Sequence, residues 1–120
     1  MAVKLRVSFY YVGDLTKATR AYSAFLGVTP FYEDKDWVRF HLEGGDLALH
    51  RNEGLAETAA HQPIQFGAVI SFTVQDIQAT LKSAMDNGFH LVGDVQDFPY
   101  GKQVELRDPW GNRLSLVEPK

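Results

Sequence analysis

The chain has 120 residues, with 12 Lys and Arg against 15 Asp and Glu, a net charge of −3, and no cysteine. This length is typical of a single domain, and without cysteine the chain can form neither disulfides nor thiolate metal sites or nucleophiles. The scattered, slightly acidic charge argues against nucleic acid as a partner, and no apolar run reaches the roughly 18 residues of a membrane span. We therefore expect a cytoplasmic protein whose partner is a small organic molecule.

The first half of the chain predicts a β-α-β-β-β module at about residues 4–52. Residues 5–12 have the pattern of a strand rather than of a cleavable signal peptide, and residues 15–26 have helical spacing that ends at Gly27. Short strands are expected near residues 28–33, 37–42 and 47–51. The sequence LEGGDL between the last two is typical of a tight hairpin turn.

The second half repeats this order at about residues 67–120, after a connector at about residues 53–66. A strand is predicted at 68–74, a helix at 77–87 that ends at Gly88, and strands near 90–92, 103–107 and 113–118. VGDLTKA at 12–18 matches VQDIQAT at 74–80, which places Asp14 and Asp76 at equivalent helix N-caps. DLALH at 46–50 likewise matches NRLSL at 112–116. The sequence thus predicts two tandem copies of one module.

Strand alternation gives each module one uniformly apolar face and one mixed face. The apolar faces should pack on the helices. The mixed faces combine aromatic rings with histidines and charges, which is typical of a small-molecule pocket and less so of an ordinary solvated sheet face, the alternative interpretation. The predicted ligand contacts are Phe9, Tyr11, Trp37, Arg39, His41, His50, Ser71, Thr73, Gln103, Glu105, Arg107 and Ser115.

Three segments resemble the vicinal oxygen chelate superfamily, which includes glyoxalase I, bleomycin-resistance proteins and extradiol dioxygenases. They are YVGDLTKATRAYSAFLG, the repeated VQDIQAT and the terminal DPWGNRLSL. The resemblance covers nearly the whole chain. It implies an α+β fold in which two tandem β-α-β-β-β modules form a cupped, eight-stranded mixed sheet, with the ligand in the cup and a homodimer as the usual assembly.

The resemblance also implies four metal-ligand positions, which in this chain are Val7, Ala48, Val69 and Ser115. Valine and alanine have no donor atom, and a lone serine hydroxyl is a poor ligand where imidazole and carboxylate are needed. We therefore expect no metal and no cofactor, and this disfavours metal-dependent lyase or dioxygenase chemistry. Whether the protein catalyses another reaction stays open.

The first functional hypothesis is that the protein binds an organic molecule, such as an antibiotic or a metabolite, without a metal. In this hypothesis Phe9, Tyr11 and Trp37 stack on the ligand. A different hypothesis is a dimerisation module with no ligand, in which an exposed Trp110, Phe31 and Tyr32 lie in the interface. For Trp110 in its turn, a packing role is the simplest explanation.

The enzyme hypothesis requires a relocated site. The hairpin is expected to pair His41 with Ala48 and Arg39 with His50, which would make the two histidines diagonal neighbours. With Glu105 they could form a metal site of two histidines and one carboxylate. Alternatively, His41 or His50 could act as a general base without a metal.

Overall fold

The computed structural model describes residues 2, 4–57 and 68–120. The chain divides into two compact units, Met1–Ala56 (unit 1) and Glu57–Lys120 (unit 2). Most of the predicted connector, residues 58–66, lies outside the described residues. The elements of unit 1 are β1 (Ser8–Val12), α1 (Leu15–Leu26), β2 (Tyr32–Glu33), β3 (Trp37–Leu42) and β4 (Gly45–Arg51). Those of unit 2 are β5 (Ile70–Thr73), α2 (Ile77–Asp86), β6 (His90–Phe98), β7 (Gly101–Arg107) and β8 (Arg113–Pro119).

Both units have the same sheet topology. The strand order is β1-β4-β3-β2 in unit 1 and β5-β8-β7-β6 in unit 2. In each sheet the first strand runs parallel to the last, and the other neighbours are antiparallel. The described residues therefore confirm the predicted α+β class with two tandem β-α-β-β-β modules. None of the helices described is long and apolar enough to cross a membrane.

Two strands differ most in length from the prediction. The strand expected at 28–33 is reduced to β2, because Pro30 cannot donate a hydrogen bond to the sheet. Strand β6, expected only at 90–92, continues to Phe98. A register shift between Val92 and Gln96, next to Gly93 with its φ of 75°, marks a bulge that lets pairing with β7 resume.

The equivalent aspartates begin the two helices as predicted. Asp14 Oδ1 accepts a hydrogen bond from the backbone N–H of Lys17 at 3.0 Å, and Asp76 Oδ1 accepts one from Ala79 at 3.1 Å. Each carboxylate satisfies an N–H group that the first helical turn leaves without a partner. Gly27, with φ of 71°, ends α1.

One face of each sheet packs on the helix of its own unit. Helix α1 contacts β3 and β4, and α2 contacts β6 and β8. The apolar strand residues that are buried on these faces are Tyr10, Val12, Val38, Phe40, Leu47 and Leu49 in unit 1, and Val104, Leu106, Leu114 and Leu116 in unit 2. Their alternation fixes the side to which every intervening side chain points.

Trp110 is buried, with 5% of its surface exposed, and the prediction that it is exposed at an interface was wrong. The buried carboxylate of Asp108 accepts hydrogen bonds from the backbone N–H groups of Trp110 and Asn112 and from the Asn112 side chain. Pro109 lies close to Gly88: a Cβ added at Gly88 would be 3.4 Å from the Cγ of Pro109. The turn therefore folds inward, against the end of α2.

Candidate ligand-binding site

Four rings form a cluster on the face of the unit 1 sheet that points away from α1. This aromatic cluster consists of Phe9, Tyr11, Trp37 and His50. Tyr11 in β1 pairs with His50 in β4, which in turn pairs with Trp37 in β3. The ring centroids lie 5.2 Å apart for Phe9 and Trp37, 5.0 Å for Trp37 and His50, and 5.2 Å for Tyr11 and His50, all edge to face. Phe9 and Tyr11 are 42% and 48% exposed, so the cluster is open to solvent.

A charged group continues this face along β3. Arg39 Nη2 donates to Asp46 Oδ2 at 2.8 Å, and His41 Nδ1 lies 2.6 Å from Asp46 Oδ1. The His41 ring stacks on Phe31, with centroids 3.7 Å apart and planes 7° from parallel. The hydrogen bond with His41 lowers the pKa of Asp46, and Arg39 lowers it further against the opposing effect of burial.

The register of the β3–β4 hairpin differs from the one predicted. Each β3 residue pairs with the β4 residue that lies two positions before the predicted partner. The observed pairs are Trp37–His50, Arg39–Ala48 and His41–Asp46. The cause is the turn: Leu42 pairs with Gly45, so Glu43 and Gly44 form the loop instead of the two glycines. The two histidines are therefore not diagonal neighbours, which removes the geometric basis for the relocated metal site.

In unit 2 the mixed face holds an arginine–glutamate triad, made of Glu105, Arg107 and Arg113. Arg107 Nη1 donates to Glu105 Oε2 at 2.8 Å, and Arg113 Nη2 donates to Oε1 at 3.0 Å. Burial raises the pKa of Glu105, but the hydrogen bonds and charges of the two arginines outweigh it, and the net pKa is lowered. Glu105 is thus an ionised carboxylate with both oxygens bound to guanidinium groups.

The four positions where the resemblance implies metal ligands do not fit a metal. Val7 and Val69 precede β1 and β5, and Ala48 is fully buried. Ser115 is also buried, and its Oγ accepts a hydrogen bond from Gln103 Nε2 at 3.1 Å. In neither unit do the described residues gather three His, Asp or Glu side chains into a metal-binding group.

The other predicted contacts in unit 2 lie on the same face as the triad. Ser71 and Thr73 are exposed on β5, and Ser71 pairs with Ser115 in β8. Gln103 is half-buried, whereas Arg107 is almost entirely buried against Glu105.

Sequence reasoning missed three residues of these faces: Phe31, Asp46 and Arg113. Alternation contained the signal for two of them. Asp46 has the same parity as Ala48 and His50, and Arg113 has the same parity as Ser115. The position of Phe31, outside the strands, gave no such signal.

The chain belongs to the Glyoxalase/Bleomycin resistance protein/Dioxygenase superfamily, whose sequence profile matches residues 5–116. The predicted family is thereby confirmed. The chain is 32% identical over 108 residues to the anthracycline biosynthesis protein DauV from Streptomyces sp. (strain C5). That alignment covers 88% of this chain but 38% of DauV, so the chain spans little more than a third of this relative.

Solved structures of the family share the fold at low sequence identity. A glyoxalase/bleomycin resistance protein/dioxygenase family enzyme from Burkholderia phytofirmans PsJN aligns with a TM-score of 0.77 at 15% identity, covering 98% of this chain and all of that one. A bleomycin-binding protein from Streptomyces verticillus, solved with copper(II)-bleomycin, aligns with a TM-score of 0.61 at 20% identity over the whole of both chains.

Proposed function

We propose that this protein binds a planar aromatic small molecule on the aromatic cluster of unit 1, without a metal ion. The observation that carries the proposal is the four-ring cluster itself, in which two rings are more than 40% exposed. Exposed rings held together by one another, outside the core, favour a binding surface over a structural one. Their faces and edges suit stacking and edge-to-face contact with another ring system.

The geometry of the cluster supports a planar ligand in particular. The rings of Tyr11 and Trp37 stand at 81° and 85° to that of Phe9, with centroids 5.5 and 5.2 Å away. Both contacts are therefore edge to face, an arrangement that aromatic rings prefer and that the ring of a ligand extends. Arg39, whose side chain is 18% exposed, adds a positive charge beside the cluster for a polar substituent of the ligand.

Two of the similar proteins support the same class of ligand. One is named for anthracycline biosynthesis, and the other was solved with copper(II)-bleomycin. Both names concern molecules with conjugated ring systems. We propose that an antibiotic or a metabolite of this kind is the ligand of this chain. The hydrogen-bonding contacts predicted at Ser71, Thr73, Gln103 and Ser115 belong to unit 2 and stay a separate prediction.

Tryptophan fluorescence tests the proposal. The sequence has two tryptophans, so a Trp110→Phe variant reports on Trp37 alone. We expect a planar tricyclic quinone such as 1,4-dihydroxyanthraquinone to quench Trp37 saturably, because it stacks within van der Waals distance of the ring. An alicyclic compound of similar size is the control. The proposal fails if a panel of planar aromatic compounds produces no saturable change.

We expect purified protein to contain far less than one divalent metal ion per chain, since Val7, Ala48, Val69 and Ser115 offer no ligand set. Elemental analysis of protein purified without chelator measures this. Stoichiometric Zn, Ni, Mn or Fe that survives dialysis would contradict the prediction. Loss of that metal in His41→Ala or His50→Ala would then locate its site.

We also expect a homodimer, because the family resemblance implies one and because unit 2 exposes an aromatic pair of its own. Phe98 and Tyr100 stack with ring centroids 5.3 Å apart, and Tyr100 is 54% exposed, and exposed apolar groups of this kind mark interfaces. Light scattering should give twice the chain mass of 13.5 kDa at micromolar concentration. A mass that stays near 13.5 kDa would rule the dimer out.

A further inference from the structure

Asp46 holds His41 on the open face of the unit 1 sheet as a carboxylate holds a catalytic histidine. Nδ1 of His41 lies 2.6 Å from Oδ1 of Asp46, and the other carboxylate oxygen accepts a hydrogen bond from Arg39 at 2.8 Å. We propose that His41 is a general base toward the molecule bound on this face and that Asp46 is its positioning residue. This inference rests on the proposed function, because the ligand must occupy the same face.

The hydrogen bond determines which ring nitrogen can take a proton. An ionised carboxylate only accepts hydrogen bonds, so Nδ1 of His41 carries the hydrogen, and in the neutral imidazole the lone pair is then on Nε2. The lowered pKa of Asp46, caused first by the bond with His41, keeps this carboxylate ionised well into the acidic range. The His41 side chain is 69% exposed, so Nε2 is accessible to a ligand.

His50 lacks the charged partner of His41. Its Nδ1 bonds the backbone carbonyl of Arg51 at 3.0 Å, which can fix the same tautomer. A neutral carbonyl, however, stabilises a newly formed imidazolium less than a carboxylate does. Of the two histidines that the sequence singled out, His41 is therefore the better base.

The surroundings of His41 hold it more firmly than an ordinary surface ion pair. Phe31 stacks on the imidazole at 3.7 Å, and the Arg39 guanidinium carbon lies 5.7 Å from the centre of the same Phe31 ring. The side chains of Arg39 and Asp46 are only 18% and 20% exposed. An exposed ion pair gives up much of its benefit to side-chain entropy, and this arrangement reduces that loss.

The distance along β3 indicates the class of substrate. Trp37 and His41 point to the same face and are four residues apart, which corresponds to about 13 Å along a strand. A molecule with four linearly fused rings is long enough to stack on Trp37 through its first ring and to bring an atom of its last ring to His41, whereas three rings are too short. The substrate we infer is a polycyclic aromatic compound with an acidic C–H activated by a carbonyl group.

The proposed step is a proton transfer that balances without a co-reactant. The C–H bond of the substrate breaks, its electron pair moves into the conjugated carbonyl to form an enolate, and Nε2 of His41 takes the proton. The imidazolium that results pairs with Asp46. Return of a proton to carbon or to oxygen completes hydrogen exchange or keto–enol isomerisation.

3,4-Dihydrotetracen-2(1H)-one, a tetracyclic ketone, is a direct probe because its acidic C1 hydrogens lie in the last of its four fused rings. Under nitrogen in D2O, we expect the wild-type protein to accelerate deuteration at C1, followed by proton NMR. His41→Ala should lower the protein-dependent rate at least about a hundredfold, the lower end of the usual contribution of a general base. The matched control is His90→Gln in unit 2, a histidine to which no role is assigned, and its rate should stay within about twofold of wild type.

Asp46→Asn tests positioning with a readout that a purely structural role would not change. Nitrogen-15 NMR of the wild type should show His41 protonated at Nδ1 and bare at Nε2. In Asp46→Asn this preference should be lost and exchange should slow, while the affinity for the tetracyclic ketone, measured by quenching of Trp37, is retained. An Nε2-protonated tautomer in the wild type would overturn the positioning role.

Binding and catalysis fail in distinguishable ways. If the tetracyclic ketone quenches Trp37 but its exchange is no faster than in buffer, or if His41→Ala keeps the full rate, His41 is not the base and the binding function stands. If neither this ketone nor any other planar compound quenches Trp37, the proposed function itself fails.

Discussion

Replacing Trp37 with alanine should weaken the binding of a planar aromatic ligand by about 10- to 100-fold, because stacking on one aromatic side chain contributes roughly 1–3 kcal/mol. The Trp37 ring is half-buried, and its ring contacts are to Phe9 and His50, which also belong to the open face. The expected loss is therefore in affinity rather than in folding. Calorimetric titration measures it without relying on tryptophan fluorescence.

Leu49→Ala is the matched control for this variant. Leu49 lies in the neighbouring strand of the same sheet but points to the buried face, with none of its surface exposed. Its truncation should lower the free energy of unfolding by about 2–5 kcal/mol, whereas Trp37→Ala should lower it by less than about 1.5 kcal/mol. Trp37→Phe, which keeps a ring, should retain most of the affinity. If urea unfolding shows that Trp37→Ala loses as much free energy of unfolding as Leu49→Ala, this face of the sheet belongs to the core.

Strand alternation predicted the two faces because it depends only on local geometry. Val38 and Trp37 are neighbours in sequence and lie on opposite sides of β3, one buried and one half-buried. In β8, Leu114 is likewise buried and Arg113 before it is half-buried on the other side. Ser115, which follows Leu114, is small enough to be buried on the mixed face. The internal repeat predicted the order of helices and strands along the chain for a similar reason, since each half of the sequence forms the same module.

The hairpin register was not predictable in this way. LEGGDL allows a two-residue loop at either Glu43–Gly44 or Gly44–Gly45, and only the pairing in the folded sheet decides between them. A slip of two residues keeps every side chain on its face, so alternation cannot detect it. The partnership of His41 with Asp46 depends entirely on this register, which is why the sequence suggested His41 but not its carboxylate.

The burial of Trp110 was missed for a different reason. Its sequence neighbours, Asp108, Pro109 and Gly111, are typical of an exposed turn. The Asp108 side chain instead satisfies backbone N–H groups inside the turn, so the turn can be buried without losing hydrogen bonds. Composition identifies a turn, but it does not show whether the carboxylate faces solvent or the backbone.

The second large effect is expected at Glu105, at the centre of the arginine–glutamate triad. Its side chain is 28% exposed and that of Arg107 only 5%, so their interaction is screened much less than one at the surface. Glu105→Gln removes the negative charge shared by Arg107 and Arg113 while keeping the side-chain shape. We expect the free energy of unfolding at neutral pH to fall by about 2–4 kcal/mol, close to the usual loss when one partner of a buried pair is removed.

The control is an exposed ion pair of the same unit. Lys82 Nζ and Asp86 Oδ2 are 2.7 Å apart on the surface of α2, with side chains 78% and 62% exposed. Asp86→Asn should change stability by no more than about 0.5 kcal/mol, because solvent screens this pair and one helical turn separates its members. Equal losses of unfolding free energy in Glu105→Gln and Asp86→Asn would show that burial of the triad adds nothing to the stability of the fold.

The contribution of Glu105 should also depend on pH in a defined direction. Its pKa in the folded protein is lowered from an ordinary value of 4.5, because the two arginines outweigh the effect of burial. The folded state thus favours the ionised form, and the stabilisation is complete above about pH 5.5 and is lost as the pH falls below 4.5 through the lowered pKa.

Other carboxylates also titrate in this range, but they are common to the wild type and Glu105→Gln. The difference in unfolding free energy between these two proteins should therefore be largest near neutral pH and shrink towards about pH 3. Urea titrations at several pH values measure it, and a difference that stays constant with pH would show that ionised Glu105 does not stabilise the fold.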